Sequence, residues 1–399
     1  MLDVAAVRAR FPALTSSSAA FLDGPAGSQV PAAVADAMRD QLLAGTANDG
    51  GAFATSVAAN ALIGRAREAA AELTASDPAE IALGPNMTTL NFALAHAVAR
   101  TLQPGDEIVV TELDHDANVA PWLRVAEDHG LVVRTAPVRT GDVTLDVDAL
   151  EALLGTRTRI VAFTLASNAV GSIPDARRVV AAAHGVGALA WADGVHLAPH
   201  RRPDRQAIGA DVLLCSPYKF FGPHLGIASI RRDLAESWPA DRVRPAAEDP
   251  PGHRFETGTP SFEAFAGLVA AIDYLRDLGD GDLDAAYSAI RAHEEALCVR
   301  VLEGVAALPG VTLHGIADPA RVAERTPTFS VTVAGRSPRE VAEALAADGV
   351  HVWDGDFYAY TLMYALGLAQ DGGAVRAGLL HYTTEDEVDR LLAGLARLS

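Results

Sequence analysis

From about residue 80 to residue 231 the chain alternates short, almost wholly apolar runs with longer segments of helical period, and Gly, Pro and Asp mark the joints. The short runs are Ile81 to Gly84, Glu107 to Thr111, Leu131 to Val138, Arg159 to Ala166, Ala188 to Asp193, Asp211 to Ser216 and Gly226 to Arg231. Their richness in Val, Ile and Leu is that of strands buried on both faces. The pattern predicts an α/β fold, a mostly parallel seven-stranded sheet with helices on both faces. Ligands in such folds gather at the carboxyl ends of the strands. After a Pro- and Asp-rich joint, Pro245 to Pro251, the pattern shifts to long helices over about 262 to 307. Thr328 to Val333, a helix from Pro338, Val375 to Leu379 and a final helix from Thr384 follow. The expected organisation is an N-terminal arm (1–20) packing on the small domain, a large ligand-binding domain (21–260), and a helical linker with a smaller α+β domain (261–399).

Composition narrows the partners. Half of the 399 residues are apolar, enough for a sizeable core. Acidic side chains outnumber basic ones, 51 to 32, for a net charge of −19. That field repels phosphate backbones and anionic lipid surfaces, so small molecules are the expected partners, with no nucleic acid and no membrane. The start of the chain carries no charged-then-apolar leader, and no run approaches the 18 or so apolar residues of a membrane span. A cytoplasmic protein is expected. Cys215 and Cys298 are the two cysteines. Without a CxxC pair or a His cluster nearby, they predict neither a disulfide framework nor a metal site.

Of the 32 basic side chains, one is lysine: Lys219, in Cys215-Ser-Pro-Tyr-Lys-Phe-Phe-Gly-Pro-His224. Arginine cannot form a Schiff base, whereas a desolvated lysine amine can attack a carbonyl and be displaced again. Three further features fall where the sheet pattern places a site. Gly84-Pro-Asn-Met-Thr-Thr89 leaves a strand and opens a helix; its backbone N–H groups and hydroxyls suit an anion, or simply cap the helix. Asp193 ends an apolar strand and needs a cationic or hydrogen-bonding partner there. His115, just past another strand, offers either a flat ring for a planar cofactor or a structural histidine. An amine, a carboxylate for a ring nitrogen and a phosphate cradle together point to pyridoxal phosphate.

At this level of detail the chain resembles the class V aminotransferase and cysteine desulfurase-like group of fold-type I pyridoxal-phosphate enzymes. The resemblance runs from Phe21-Leu-Asp-Gly-Pro-Ala-Gly-Ser28 to Val375-Arg-Ala-Gly-Leu379 and Tyr382-Thr-Thr-Glu-Asp-Glu-Val-Asp389. It implies Lys219 as the Schiff-base lysine, Asp193 as the pyridinium partner, His115 as the stacking ring, and Thr88, Thr89 and Ser216 as phosphate ligands. His196 stands where many relatives have a Gln that contacts the phenolic oxygen, and Asn168 matches a residue near the cofactor. Phe255-Glu-Thr-Gly-Thr-Pro260 is similar to a segment that reaches the partner's phosphate, which implies a homodimer with Thr259 at that contact. Arg376 aligns with the arginine that grips the substrate carboxylate, a task for its planar two-donor fork.

The departures from the family pattern bear on the reaction. Desulfurases of this type attack the substrate sulfur with a cysteine on a mobile loop, and the matching segment here is Val352-Trp-Asp-Gly-Asp-Phe-Tyr-Ala359. Tyr358 takes the cysteine position, and Trp353 stands near where relatives have a second arginine. The early loop Ala47 to Phe53, with Asn48, lacks the usual His and Arg, and Tyr218 replaces a His before the lysine. Persulfide-forming desulfuration is therefore not expected. A C–S lyase working by β-elimination leads, with transamination, epimerisation and cofactor binding without turnover as alternatives. Asp354 and Asp356 suggest a substrate bulkier or more cationic than cysteine, or are simply solvated carboxylates. A role in specialised metabolism fits the resemblance.

Overall fold

The computed structural model describes residues 2–45 and 47–399. Its central sheet has seven strands: β1 (Ile81–Gly84), β2 (Glu107–Thr111), β3 (Val132–Ala136), β4 (Thr158–Thr164), β5 (Leu189–Asp193), β6 (Val212–Cys215) and β7 (Gly226–Ile230). The order is β3-β2-β4-β5-β6-β7-β1. Neighbours from β3 to β6 run parallel, and β7 is antiparallel to both β6 and β1. The mostly parallel seven-stranded sheet read from the apolar runs is therefore present.

Side chains alternate across a strand, and in every strand but the edge strand β3 both faces are covered. Ile160 and Ala162 of β4 enter one core with Trp191, Val212 and Leu214. Val161 and Phe163 enter the other with Ala190, Ala192 and Leu213. Each fully buried Val, Leu, Ile or Phe contributes roughly 1.5–3 kcal/mol through removal from water, so a polar residue at any position from Ile160 to Phe163 would lose core contacts on one face or the other. This is why the strands read as unbroken apolar runs.

The second sheet has four strands: β8 (Val311–His314), β9 (Thr328–Val333), β10 (Trp353–Gly355) and β11 (Ala374–Gly378). The order is β8-β9-β11-β10, antiparallel throughout. Helices Leu283–Ala306, Pro338–Ala347 and Glu385–Leu398 bury Val301, Val341 and Leu391 in the same core as Phe329, Val331 and Val375. β10 corrects one expectation: Trp353 to Gly355, read as part of a loop, is an edge strand with Trp353 opposite Arg376. Its three residues show no apolar alternation; pairing with β11 creates the strand.

The two sheets are bridged near the N-terminus. Arg8 donates to the Tyr382 carbonyl at 2.8 Å and to Glu387 at 3.0 Å. Phe11 packs edge-on against Phe221, Tyr274 and Tyr382. Helix Phe262–Asp277, past the expected boundary at residue 261, packs on helices Ala32–Leu43 and Ala54–Thr74. Among the described residues no helix is long and apolar enough to cross a membrane.

Candidate active site

The parallel strands end side by side, and a cavity of about 400 Å³ opens there. Five strand ends contribute to its lining: Asn86, Met87 and Thr88 after β1, His115 and Ala117 after β2, Thr164, Ala166 and Asn168 from β4 onward. Asp193, Val195 and His196 follow from β5, and Ser216, Tyr218 and Lys219 from β6. Thus Lys219, Asp193, His115, Asn168, His196, Ser216 and Thr88, scattered over more than 130 positions in sequence, line one space.

The charges of this space are set by burial. The Lys219 amine is pushed down to about 7, by desolvation first and then by the Arg376 charge. It donates to the Pro25 carbonyl and lies 4.7 Å from the centre of the Tyr218 ring. The Asp193 carboxyl is pushed up to about 6 by burial, although the Val195 N–H donates to it at 2.8 Å and Lys219 favours its charge. A buried acid held that high gains from any cation placed against it. His115 is pushed down to about 4 by burial and then by Lys219. Its Nδ1 accepts from the Ala117 N–H at 3.0 Å, so the neutral ring carries its proton on Nε2.

Below the cavity a turn is built for close backbone approach. Asn86 caps helix Met87–Ala99 by accepting from the Thr89 N–H at 2.8 Å. Ser216 Oγ accepts from the Met87 N–H at 3.1 Å, which ties the turn to the end of β6. A Cβ on Gly226 would stand 2.3 Å from the Asn86 carbonyl carbon, so only glycine lets β7 pass this close. The helix N-terminus and the Ser216 and Thr88 hydroxyls make an anion cradle.

Some candidates lie elsewhere. Thr89 is exposed and off the cavity lining, its N–H taken by the Asn86 cap; the helix turn carries its side chain away. Asn48 and Thr259 are also exposed and off the lining. Arg376 is buried outside the cavity: its Nη1 donates to the Asn168 carbonyl at 2.9 Å, and its guanidinium lies 4.4 Å over the Phe357 ring. Burial pushes it down to about 9. Asp354 pairs with Arg339 at 3.4 Å. Tyr358 is exposed, with its ring packed on His115 at 5.5 Å between centroids, and its carbonyl accepts from the Asp116 N–H at 2.7 Å. Phe357 and Tyr358 both hold left-handed backbone, φ 59° and 56°, a strained pair at the cavity's edge.

Trp353 borders a second cleft of about 570 Å³ with Asp23, Ser28 and Met38. Tyr218 and His224 line both spaces and stack nearly parallel, 7° apart, as a partition between them. Pro25, Thr164, Val195 and His224 escaped the sequence reading. Thr164 and Val195 could have been found from their places at strand ends; Pro25 and His224 arrive through tertiary packing alone.

The fit to a cofactor can be tested on unpartnered atoms. Among the described residues Asn168 Oδ1 and His196 Nδ1 are buried without a hydrogen-bond partner, and both residues line the cavity. Together with the high-lying Asp193, the near-neutral Lys219 and the anion cradle, they suit a ring with a basic nitrogen, a polar oxygen and a phosphate. Sheet and site together define a pyridoxal-phosphate enzyme of fold type I. A family model described as aminotransferase class-V matches residues 20–391. The chain belongs to that family, and pyridoxal phosphate is its cofactor. It is 32% identical to a cysteine desulfurase of Pectobacterium atrosepticum, covering 98% of this chain and 97% of the relative. It is 31% identical to an aminotransferase-like protein of Gibberella zeae, covering 98% and 96%. Among solved structures, an apo cysteine desulfurase from Thermococcus onnurineus is similar with TM-score 0.90 and 25% identity, covering 100% of this chain and 98% of that one. The cysteine desulfurase CsdA from Escherichia coli follows with TM-score 0.85 and 28% identity, covering 100% and 98%.

Proposed function

We propose that this enzyme cleaves the C–S bond of a cysteine S-conjugate or related amino acid by β-elimination, without passing sulfur to a protein thiol. One observation carries the reading: a near-neutral lysine faces the cavity, and neither thiol of the chain does. Cys215 is buried in β6 and Cys298 in helix Leu283–Ala306. Burial pushes both thiols up, Cys298 to about 11, so neither supplies a thiolate at neutral pH.

Pyridoxal phosphate, when bound, supplies an electron sink for the charge left on the substrate's α-carbon. The chain's residues do the rest. Asp193 would pair with the protonated ring nitrogen, His115 would pack on the ring face, and Thr88 and Ser216 would hold the phosphate. His196 would donate to the ring oxygen, while Asn168, its Nδ2 held by the Phe357 carbonyl, would line the cavity beside the ring. Lys219, about half unprotonated near pH 7, takes the proton from the α-carbon. The C–S bond then breaks with its electrons on sulfur, the sulfur takes a proton back from Lys219 and leaves as the thiol, and the remaining unsaturated amine takes up water to give pyruvate and ammonia. Arg376 binds the substrate carboxylate once Phe357 swings off its guanidinium.

The second cleft supports a side chain larger than that of cysteine, bordered by Trp353 and entered past Tyr218 and His224. With Asp354 engaged by Arg339, acidic attraction of a cationic group falls to Asp356. Thr259, exposed on its own chain, supports a homodimer in which it reaches the partner's phosphate. The test is to supply the holoenzyme with cysteine, alanine and a panel of S-conjugates. Thiol, pyruvate and ammonia in equal amounts are expected from a bulky conjugate. Keto acid without thiol release would replace the lyase with a transaminase, and a racemised substrate would replace it with an epimerase.

A further inference from the structure

His196 is buried at the junction of the two sheets, and its two ring nitrogens have different company. Nε2 lies 2.9 Å from the hydroxyl of Thr328, the first residue of β9, and 3.3 Å from that of Thr326, two residues before it. Nδ1 has no partner among the described residues, and the residue lines the cofactor cavity. The proton positions follow from counting donors and acceptors. Thr328 is fully buried, and among the described residues its hydroxyl has one hydrogen-bond partner, His196 Nε2. A buried hydroxyl left without an acceptor is costly, so it donates to Nε2. Thr326 has the Gly171 carbonyl, at 3.4 Å, as a second acceptor. With Nε2 accepting, the neutral ring carries its proton on Nδ1.

The ring stays neutral. Burial holds it well below the usual histidine range, and the charges and rings around it act in the same direction: His200 edge-on at 5.4 Å, and Arg376, Lys219 and His115. Glu294 stands behind His200, bonded to its Nδ1 at 2.9 Å.

We propose that Thr328 is a positioning residue that locks His196 as an Nδ1–H donor, so that the site selects the anionic form of the cofactor's ring oxygen. A glutamine amide at this position donates without help. A neutral histidine carries its proton on one nitrogen or the other, and the Thr328 hydroxyl, by donating to Nε2, fixes it on Nδ1. The inference rests on the cofactor and not on the lyase reading, so the two fail separately.

The test follows the visible absorbance of the holoenzyme through a pH titration, with the rate of cofactor release measured alongside. Thr328→Val removes the hydroxyl and frees the tautomer. The midpoint is expected to rise by about one pH unit, a tenfold change in the proton equilibrium, and release to quicken. Thr328→Ser, which keeps the hydroxyl, is expected to titrate as the parent. In a His196→Gln background, Thr328→Val is expected to shift nothing, because the amide needs no partner. An unmoved midpoint in Thr328→Val, a shift in Thr328→Ser as large as in Thr328→Val, or a shift that persists in the Gln background would each overturn the assignment. A measurement on the unmutated holoenzyme stands apart from folding of the variants: ¹⁵N NMR of its histidines, with the His196 signals identified by their loss in His196→Gln. An Nδ1–H tautomer is expected, and an Nε2–H tautomer would also overturn it.

Discussion

Replacing Asp193 by Asn should stabilise the cofactor-free protein at alkaline pH while weakening its hold on the cofactor. Burial raises the Asp193 carboxyl from 3.8 to about 6. Two pH units or so, at about 1.36 kcal/mol each, make the ionised carboxylate cost about 3 kcal/mol in the fold. The sign follows from linkage. Because the folded state favours the protonated acid, the penalty is full above about pH 6, fades as pH falls, and is gone well below 3.8, where folded and unfolded chains are both protonated. Asparagine is neutral throughout and its Oδ1 can still accept from the Val195 N–H, so it resembles the protonated acid. The stability difference between variant and parent should therefore grow by about 2–3 kcal/mol from pH 4 to pH 8. At about 1 °C per kcal/mol for a chain of this length, Tm should move by a few degrees. Thermal denaturation of apoprotein stripped with a carbonyl-reactive amine reads this directly. With cofactor restored the gap should narrow or close, since the variant lacks a charge-assisted hydrogen bond of about 1.5–3 kcal/mol and should bind roughly 10- to 100-fold more weakly. A Tm difference that does not change with pH, or an unchanged cofactor affinity, would refute the reasoning.

Lys219 gives the mirror case. Its folded pKa of about 7 lies below 10.5, so the charged amine is disfavoured in the fold, and Lys219→Met apoprotein should be more stable than the parent at pH 6, the gap closing as pH rises toward 10.5. The same variant should lose both turnover and the cofactor's lysine-dependent absorbance; retention of that absorbance would remove Lys219 from the site. Gly226→Ala places a Cβ 2.3 Å from the Asn86 backbone, and overpacking of this kind costs about 1–3 kcal/mol. Cofactor retention after dialysis should fall with Tm, and a variant that keeps both would show that the turn gives way freely. Tyr358→Ala should shift stability by less than about 0.5 kcal/mol because the ring is 72% exposed. Its effect should appear in substrate KM, and an unchanged KM for every substrate turned over would place the tyrosine outside substrate recognition.

Much of the architecture was legible because burial on both faces leaves a plain mark. β1 and β2 coincide with their apolar runs to the residue, and the ends of β4 to β7 differ from theirs by at most two positions. β8 and β10 were missed for a common reason. Both are short pieces of the smaller sheet, and only β8 has partly covered apolar side chains to report. Site residues at strand ends, Asp193, Ser216 and Lys219, were legible by the same logic. The turn from Gly84 to Thr89 reaches the cavity with its centre displaced: Asn86, Met87 and Thr88 line the cavity and Thr89 does not. Which face a helix's first turn presents depends on how the helix leaves the sheet, and residue type alone does not encode that.

What the chain determined by itself was the repertoire: one lysine, a strand-ending acid, a turn rich in hydroxyls, and no cysteine in the segment that would need one. Those are local facts, written in residue identity and in the period of the apolar pattern. The tertiary structure decided the charge states and the company each group keeps. Lys219 is brought near neutrality by desolvation and by Arg376 from β11, 157 positions away. His196 receives its proton arrangement from a threonine on the other sheet. Low dielectric and unpaired polar atoms arise only when distant segments exclude water together, and no single stretch of sequence carries that information.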